Sequence, residues 1–216
     1  MVQIMSNTLL ALAAVAHASL LLAPTSAAPY PYGSKFKGDG TYYGDVSPGE
    51  GNCAIEHPIP SMYDGMIPMA VSLYGMYDDS VVCGACLEGT GTGNGAGKNP
   101  IKGKFKGFVS DSCAECSKGD LDFAKSGDGR WDIEWKFVEC PSGGNPSFIF
   151  EGSNEWYWKI QPRETKSPVT QLWVDGKKAT MTQDNFFTAQ GGPFYGEQTV
   201  KTKTMFGEEK TTKVSL

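Results

Sequence analysis

Apolar and polar residues alternate along several stretches of the chain with a period of two, the spacing that turns every second side chain of a strand to the same face. Lys104 to Ser110 and Trp131 to Val138 read in this way. Asn154 to Arg163 and Val169 to Val174 repeat the pattern further on, and Asp175-Gly176 has the composition of a tight hairpin turn leading into Lys177 to Thr182. One short helix is expected around Leu121 to Lys125, and the glycine-rich run Gly89 to Gly97 reads as a flexible surface loop. With 27 glycines among many Thr, Val, Tyr and Trp, the chain favours short strands and turns, so its fold class is expected to be all-β.

The first residues read differently. Met1 to Ala28 contains no Lys, Arg, Asp or Glu, and its apolar run Leu9 to Leu22 is short for a membrane span and is followed by Pro24 and the small residues Ser26-Ala27-Ala28. Residues 1–28 are therefore expected to be a secretory signal peptide, which makes the mature protein extracellular and leaves it with no membrane association.

That compartment gives meaning to the six cysteines, Cys53, Cys83, Cys86, Cys113, Cys116 and Cys140. An even number in an oxidising environment implies three disulfides, with 15 formal pairings open to six cysteines. The two C-x-x-C pairs suggest zinc as the other reading, but only His57 remains as a histidine once the signal is removed, and no metal is expected. The cysteines stop where Pro141 to Pro146 brings two prolines and two glycines together, residues that end strands. The boundary is placed there: 29–141 as a disulfide-bonded domain, 142–146 as a linker and 147–216 as a cysteine-free second domain. The formal charge of −5 gives no electrostatic case for nucleic acid or an anionic membrane.

Enzyme signatures are easier to exclude than to find. A Ser-His-Asp triad would have to use His57 without any nucleophile motif, and no phosphate-binding glycine loop precedes a helix. What remains is acids among aromatics. Asp111 ends one candidate strand, and Asp120 and Asp122 flank Leu121 just after the Cys113/Cys116 loop, positions where Asp also serves as an ordinary turn or capping residue. In the second domain strand parity puts Tyr157, Lys159, Gln161 and Arg163 on a polar face, with Trp156, Trp158 and Ile160 opposite. Trp173 falls on the polar face of its own strand; exposed rings among polar groups suit the C–H faces of sugars.

Several ordered segments now acquire a common meaning. Gly40-Thr41-Tyr42-Tyr43-Gly44, Val82-Cys83-Gly84-Ala85-Cys86, Val109-Ser110-Asp111, Gly119-Asp120-Leu121-Asp122-Phe123 and Ile133 to Cys140 resemble, in order, the segments of the expansin barrel. Phe148 to Gly152, Ser153 to Gln161 and Ser167-Pro168-Val169 resemble the expansin carbohydrate-binding domain, with microbial members closer than plant ones. The resemblance implies a six-stranded double-psi β-barrel followed by an immunoglobulin-like β-sandwich. It implies Cys53–Cys83, Cys86–Cys140 and Cys113–Cys116 pairing, Asp122 as the essential acid, Asp111 as its support, and Thr41, Tyr42 and Tyr43 as groove lining. It adds Trp156 to Tyr157 as a binding platform, exposed by a bulge at Glu155, with Trp173 as the third ring because Val174 stands at the family's aromatic position. Cys113 likewise replaces an aromatic of the groove. The implied function is non-hydrolytic loosening of walls by a monomer bound to cellulose or a matrix glucan such as xyloglucan, with no cofactor. Two other readings accompany it: a weak inverting endoglucanase with Asp45 as base opposite Asp122, which requires carboxylates about 6.5–9.5 Å apart, and a purely adhesive double-psi protein.

Overall fold

The structure, a computed structural model, describes residues 30, 32–46, 50–55 and 58–216. The expected signal peptide, residue 29 and His57 lie outside the described residues.

Six strands close into a barrel: β1 (Lys35–Tyr42), β2 (Ile67–Ser72), β3 (Cys86–Ala96), β4 (Lys102–Cys113), β5 (Leu121–Phe123) and β6 (Arg130–Val138), in the spatial order β1-β5-β2-β4-β3-β6. Two of the pairings, β1 with β5 and β2 with β4, are parallel and the rest antiparallel, which is the crossed double-psi arrangement. The period-two reading of Trp131 to Val138 is borne out, since Trp131, Ile133, Trp135 and Phe137 are buried and Asp132, Glu134 and Lys136 face out.

Two expectations are corrected. Leu121 to Phe123 is a strand rather than part of a helix: it is inserted between β1 and β2, burying Leu121 and Phe123 and turning Asp122 outward. Three residues are too few to show a period in sequence. Gly89 to Gly97 is not a surface loop either, because residues 86–96 form β3 between β4 and β6. Its glycines answer to crowding: a Cβ on Gly89 would lie 2.3 Å from Phe105 and 2.8 Å from Trp135.

Eight further strands form two four-stranded antiparallel sheets. One contains β7 (Ser147–Phe150), β8 (Tyr157–Arg163), β11 (Thr180–Met181) and β12 (Phe187–Gln190), in the order β11-β12-β8-β7. The other contains β9 (Val169–Val174), β10 (Lys177–Lys178), β13 (Gln198–Thr204) and β14 (Glu209–Val214), in the order β10-β9-β13-β14. Trp158 and Ile160 from the first sheet meet Leu172, Val174 and Val200 from the second in one core, so the sheets are stacked as a sandwich. The hairpin at Asp175-Gly176 is borne out, with both residues at positive φ (46° and 78°) as a type I′ turn requires.

The barrel and sandwich are tied together. Tyr77 Oη donates to Asn52 O (3.0 Å) and Gln183 O (2.7 Å), Ser80 Oγ donates to Thr182 O (2.7 Å), and Arg163 Nη1 donates to Pro58 O (2.8 Å). Gln161 Nε2 donates to Ala54 O at 3.2 Å, and Arg163 Nε to Gln161 Oε1 at 2.8 Å. Gln161 and Arg163 thus leave the open polar face on which sequence parity put them: both are buried, because that end of the sheet rests on the barrel.

Candidate functional site

One register row crosses four barrel strands. Thr41 on β1 pairs with Asp122 on β5, Asp122 with Ala70 on β2, and Ala70 with Asp111 on β4. Residues directly opposite in adjacent strands share a face, so the two acids stand on one surface with an alanine between them, two strand spacings or about 10 Å apart at Cα. Their sequence separation is 11; the barrel brings them together because the parallel crossovers interleave β2 between β5 and β4.

The two carboxylates differ in what holds them. Thr41 Oγ1 donates to Asp122 Oδ1 at 2.6 Å. Burial nonetheless dominates at half-buried Asp122 and raises its pKa; the Thr41 hydrogen bond works against this, Glu115 adds to it and Arg130 opposes it. Asp111 Oδ1 instead accepts two backbone N–H groups, from Asn52 (2.8 Å) and from Ser112 (2.7 Å), while Asn52 Nδ2 reaches Ser112 Oγ at 2.6 Å. Asp111 therefore anchors the 50–54 loop to β4. Asn52 gave no sequence signal of its own, since the side chains it meets, Asp111, Ser112 and Tyr77, lie far along the chain. Tyr43 senses both acids: burial first, then the charges of Asp111 and Asp122, push its phenol up to about 12, with a Ser110 hydrogen bond opposing. At neutral pH it is a neutral hydrogen-bonding group.

The three disulfides Cys53–Cys83, Cys86–Cys140 and Cys113–Cys116 are formed in the pairing that the family resemblance implies. The first two are buried, whereas Cys113–Cys116 is half-buried beside the acid row. Its two Sγ atoms and a carboxylate oxygen of Asp122 lie within 4.8 Å of one another. With the sulfurs bonded to each other they are not thiolates, so these three residues do not form a zinc ligand set.

Other candidate residues have partners of their own. Tyr42 does not join Thr41, because alternation turns it to the opposite side of β1: it pairs with Phe123, covers Gly127 and donates to Asn99 O at 2.7 Å, closing the barrel end. Asp120 is structural, accepting from Asp39 N (2.8 Å) and Ser117 N (2.9 Å). Asp45 places Oδ1 on Ser126 N (3.0 Å) and Oδ2 on Ser126 Oγ (2.6 Å), and these bonds lower its pKa.

On the sandwich Trp156 is 56% exposed, as expected, but by a different device. No bulge at Glu155 is needed, since Asn154 and Tyr157 pair across a two-residue turn whose tip is Glu155-Trp156, and Asn154 Oδ1 accepts from the N–H groups of Trp156 (2.8 Å) and Tyr157 (3.1 Å). Trp158 is core, packed on Phe150 and Phe194. Trp173 is corrected: it faces outward from the second sheet beneath Lys201 Nζ, whereas Tyr157 faces outward from the first, so the two rings lie on opposite faces of the sandwich. A ring that sequence reasoning missed stands nearer. Tyr195 is 68% exposed on a loop whose Phe194 N–H donates to Glu155 O at 2.6 Å, next to Trp156. Its signal was the run Gly191-Gly192-Pro193-Phe194-Tyr195-Gly196, two aromatics inside a glycine-rich turn.

A double-psi barrel bearing an acid row, fused to a sandwich with exposed rings at one end, defines a two-domain all-β class. Within that class the chain is similar to the microbial expansins. It is 36% identical over 96 residues to Expansin-YoaJ of Bacillus subtilis (strain 168), a match spanning 39% of this chain and 41% of that protein. In fold it matches an expansin of Clavibacter michiganensis solved as a mutant in complex with cellohexaose, at 22% identity and a TM-score of 0.65, over 83% of this chain and 90% of that one. The unliganded Clavibacter expansin matches at 21% identity and a TM-score of 0.62, with the same coverage. No family model matches the chain.

Proposed function

We propose that the chain is a secreted, monomeric, expansin-like protein that binds cellulose or a matrix glucan and loosens it without hydrolysis, after removal of residues 1–28. The barrel domain, 29–141, is assigned the loosening; the sandwich domain, 147–216, is assigned the binding, with residues 142–146 as the link between them. The match to a Bacillus expansin and the shared fold with a Clavibacter expansin that takes cellohexaose support a glucan ligand. Trp156, Tyr157 and Tyr195 are the rings of the binding surface in this reading, with Tyr195 in place of Trp173.

The observation that carries the non-hydrolytic reading is the occupancy of the carboxylates. Inverting hydrolysis needs a protonated acid and, across the glycosidic bond, a carboxylate free to activate water. The raised pKa of Asp122 suits an acid, and the lowered pKa of Asp45 suits a base, which is the one feature favouring an endoglucanase. Yet Asp45 commits one oxygen to each of two Ser126 donors, and Asp111 Oδ1 is held by two backbone amides. A base must be positioned as well as ionised. Asp122 acts instead as a hydrogen-bonding partner for a sugar hydroxyl or glycosidic oxygen, with Tyr43 as a neutral neighbour.

Extension of wall strips under constant load, run beside a reducing-end assay, tests this for the wild type, Asp122→Ala and Asp45→Ala. Extension without new reducing ends, lost in Asp122→Ala and kept in Asp45→Ala, is expected. Reducing ends that depend on both acids would establish a hydrolase in its place, and wall binding indifferent to Asp122, with no extension, would leave an adhesive protein.

A further inference from the structure

An open groove of 960 Å³ lies where the barrel meets the sandwich, lined by Asn52, Tyr74, Tyr77, Asp79, Gln183 and Asp184 among others. None of these residues belongs to the proposed acid row or to the sandwich rings, yet the groove adjoins the row at two points. Asn52 is bonded to Asp111 through its backbone N–H, and Tyr74 lies just past the end of β2, four residues after Ala70, with Ser72 Oγ donating to Cys116 O at 2.7 Å beside Asp122.

Tyr74 is 76% exposed, more than any other large apolar side chain of the described residues, and its backbone is fixed. Tyr30 Oη donates to Gly75 O at 2.6 Å, and the Ser72 hydroxyl that donates to Cys116 O also lies 3.2 Å from Tyr74 O. The floor is fixed as well, by the Tyr77 and Ser80 bonds that join the domains and by Gln183 Nε2 donating to Asp79 Oδ1 at 3.3 Å. Asp78, Asp79 and Ser80 run consecutively at positive φ (41°, 52° and 70°), a conformation that side chains resist and that persists only where surrounding contacts over-determine it. An exposed aromatic ring lining a groove with fixed amide and carboxylate groups is the composition of a sugar site: the ring takes pyranose C–H groups and the polar groups take hydroxyls.

The charges limit the ligand further. Asp78, Asp79 and Asp184 line this groove, so a polyuronate is repelled and a neutral chain is admitted. The acids do not form an open cation cage, because Asp184 is paired with Lys159 (2.7 Å) and bonded to Thr182, and Asp79 accepts from Gln183.

We propose that this junction groove is a further subsite for a neutral β-glucan, in which Tyr74 stacks on a sugar of the same chain that passes the Asp111/Asp122 row. The inference rests on the glucan-binding reading above. The experiment is calorimetric titration of the full mature chain with cellobiose and with cellohexaose, for the wild type, Tyr74→Ala, Trp156→Ala and Asp122→Ala, with polygalacturonate as the acidic probe. The exposed Tyr74 ring can be removed without opening the core, and an unchanged thermal melt checks this. Tyr74→Ala is expected to weaken cellohexaose about tenfold and to remove most of the wild type's preference for cellohexaose over cellobiose. Cellohexaose binding weakened by Trp156→Ala or Asp122→Ala but unchanged in Tyr74→Ala would overturn the subsite and leave the glucan reading standing. No glucan binding by the wild type would overturn both, and Tyr74-dependent binding of polygalacturonate would overturn the neutral-ligand assignment.

Discussion

Removing Cys113–Cys116 should damage function far more than stability, and removing Cys86–Cys140 should do the reverse. A disulfide stabilises chiefly by restricting the unfolded chain, by an amount that grows with the logarithm of the loop it closes. Cys113–Cys116 spans a sequence separation of 3, which corresponds to about 2 kcal/mol in the chain-entropy relation, whereas Cys86–Cys140 spans 54, which corresponds to about 4 kcal/mol. The short loop's sulfurs are the ones beside the Asp122 carboxylate; those of the long loop lie in the core. Guanidinium titrations of the two double Cys→Ser variants should therefore differ by about 2 kcal/mol in unfolding free energy, with the long-loop variant the weaker. Wall extension measured at a temperature where both variants remain folded should be lost in the short-loop variant and kept in the other. Equal loss of stability in both variants, or full extension without Cys113–Cys116, would refute the division of labour between them.

Three other outcomes follow from the same structure. Burial raises Asp122 from 3.8, so in the window just above that value the folded state binds its proton more readily than the unfolded chain does. Stability from this group is thus present at low pH and lost as pH rises through the raised value; stability measured against pH should change less across that window in Asp122→Asn, and a steeper dependence there would contradict the burial argument. Gly89→Ala would force a methyl to within 2.3 Å of Phe105 in the barrel, and overpacking of that kind should cost about 1–3 kcal/mol in a denaturant titration. Arg163→Ala removes bonds from a buried guanidinium to Pro58 O and Gln161, and should cost about 2 kcal/mol and separate the barrel and sandwich transitions in calorimetry, while an unchanged single transition would argue against coupling through this residue.

How much of this was legible in the sequence depended on whether the signal was local. Trp131 to Val138 and Val169 to Val174 each show their own alternation, so parity alone identified buried Ile133 and Leu172 and outward Trp173. Parity says which side of its own strand a residue takes but not which sheet the strand joins, and Trp173 was therefore grouped with Tyr157 from the opposite face. The three-residue strand Leu121 to Phe123 was illegible for another reason: its pairing partners lie about 50 and 80 residues away, at Met69 to Val71 and Gly40 to Tyr42. Gly89 and Gly91 misled because glycine marks a loop when the backbone needs freedom and a strand when a neighbour's side chain fills the missing volume. The acids could be singled out as candidates from the sequence, but their roles came from family resemblance, since Asp111 between two serines and Asp122 between Leu121 and Phe123 read equally well as turn or capping residues.

On the proposed reading, function and stability draw on different parts of one barrel. Asp122 sits on a strand of only three residues, which alone contributes little pairing, so its position depends on contacts from both sides: Thr41 donating across β1, and β2 pairing opposite through Ala70. Ala70 matters here through being small, since a larger side chain at that point of the row would stand between Asp122 and Asp111. The same row meets the Cys113–Cys116 loop at one edge and, through Asn52, the junction with the sandwich at the other. A glucan chain lying along the row would then touch elements that the fold fixes by three independent means: strand pairing, a disulfide and interdomain hydrogen bonds. Hydrolysis requires water and a free base at one bond; displacement of a chain from its neighbours requires a rigid surface that competes for hydroxyls over several sugars. On the proposed reading, Asp45, bonded to Ser126 through both oxygens, and Asp111, whose Oδ1 anchors the 50–54 loop, serve that surface.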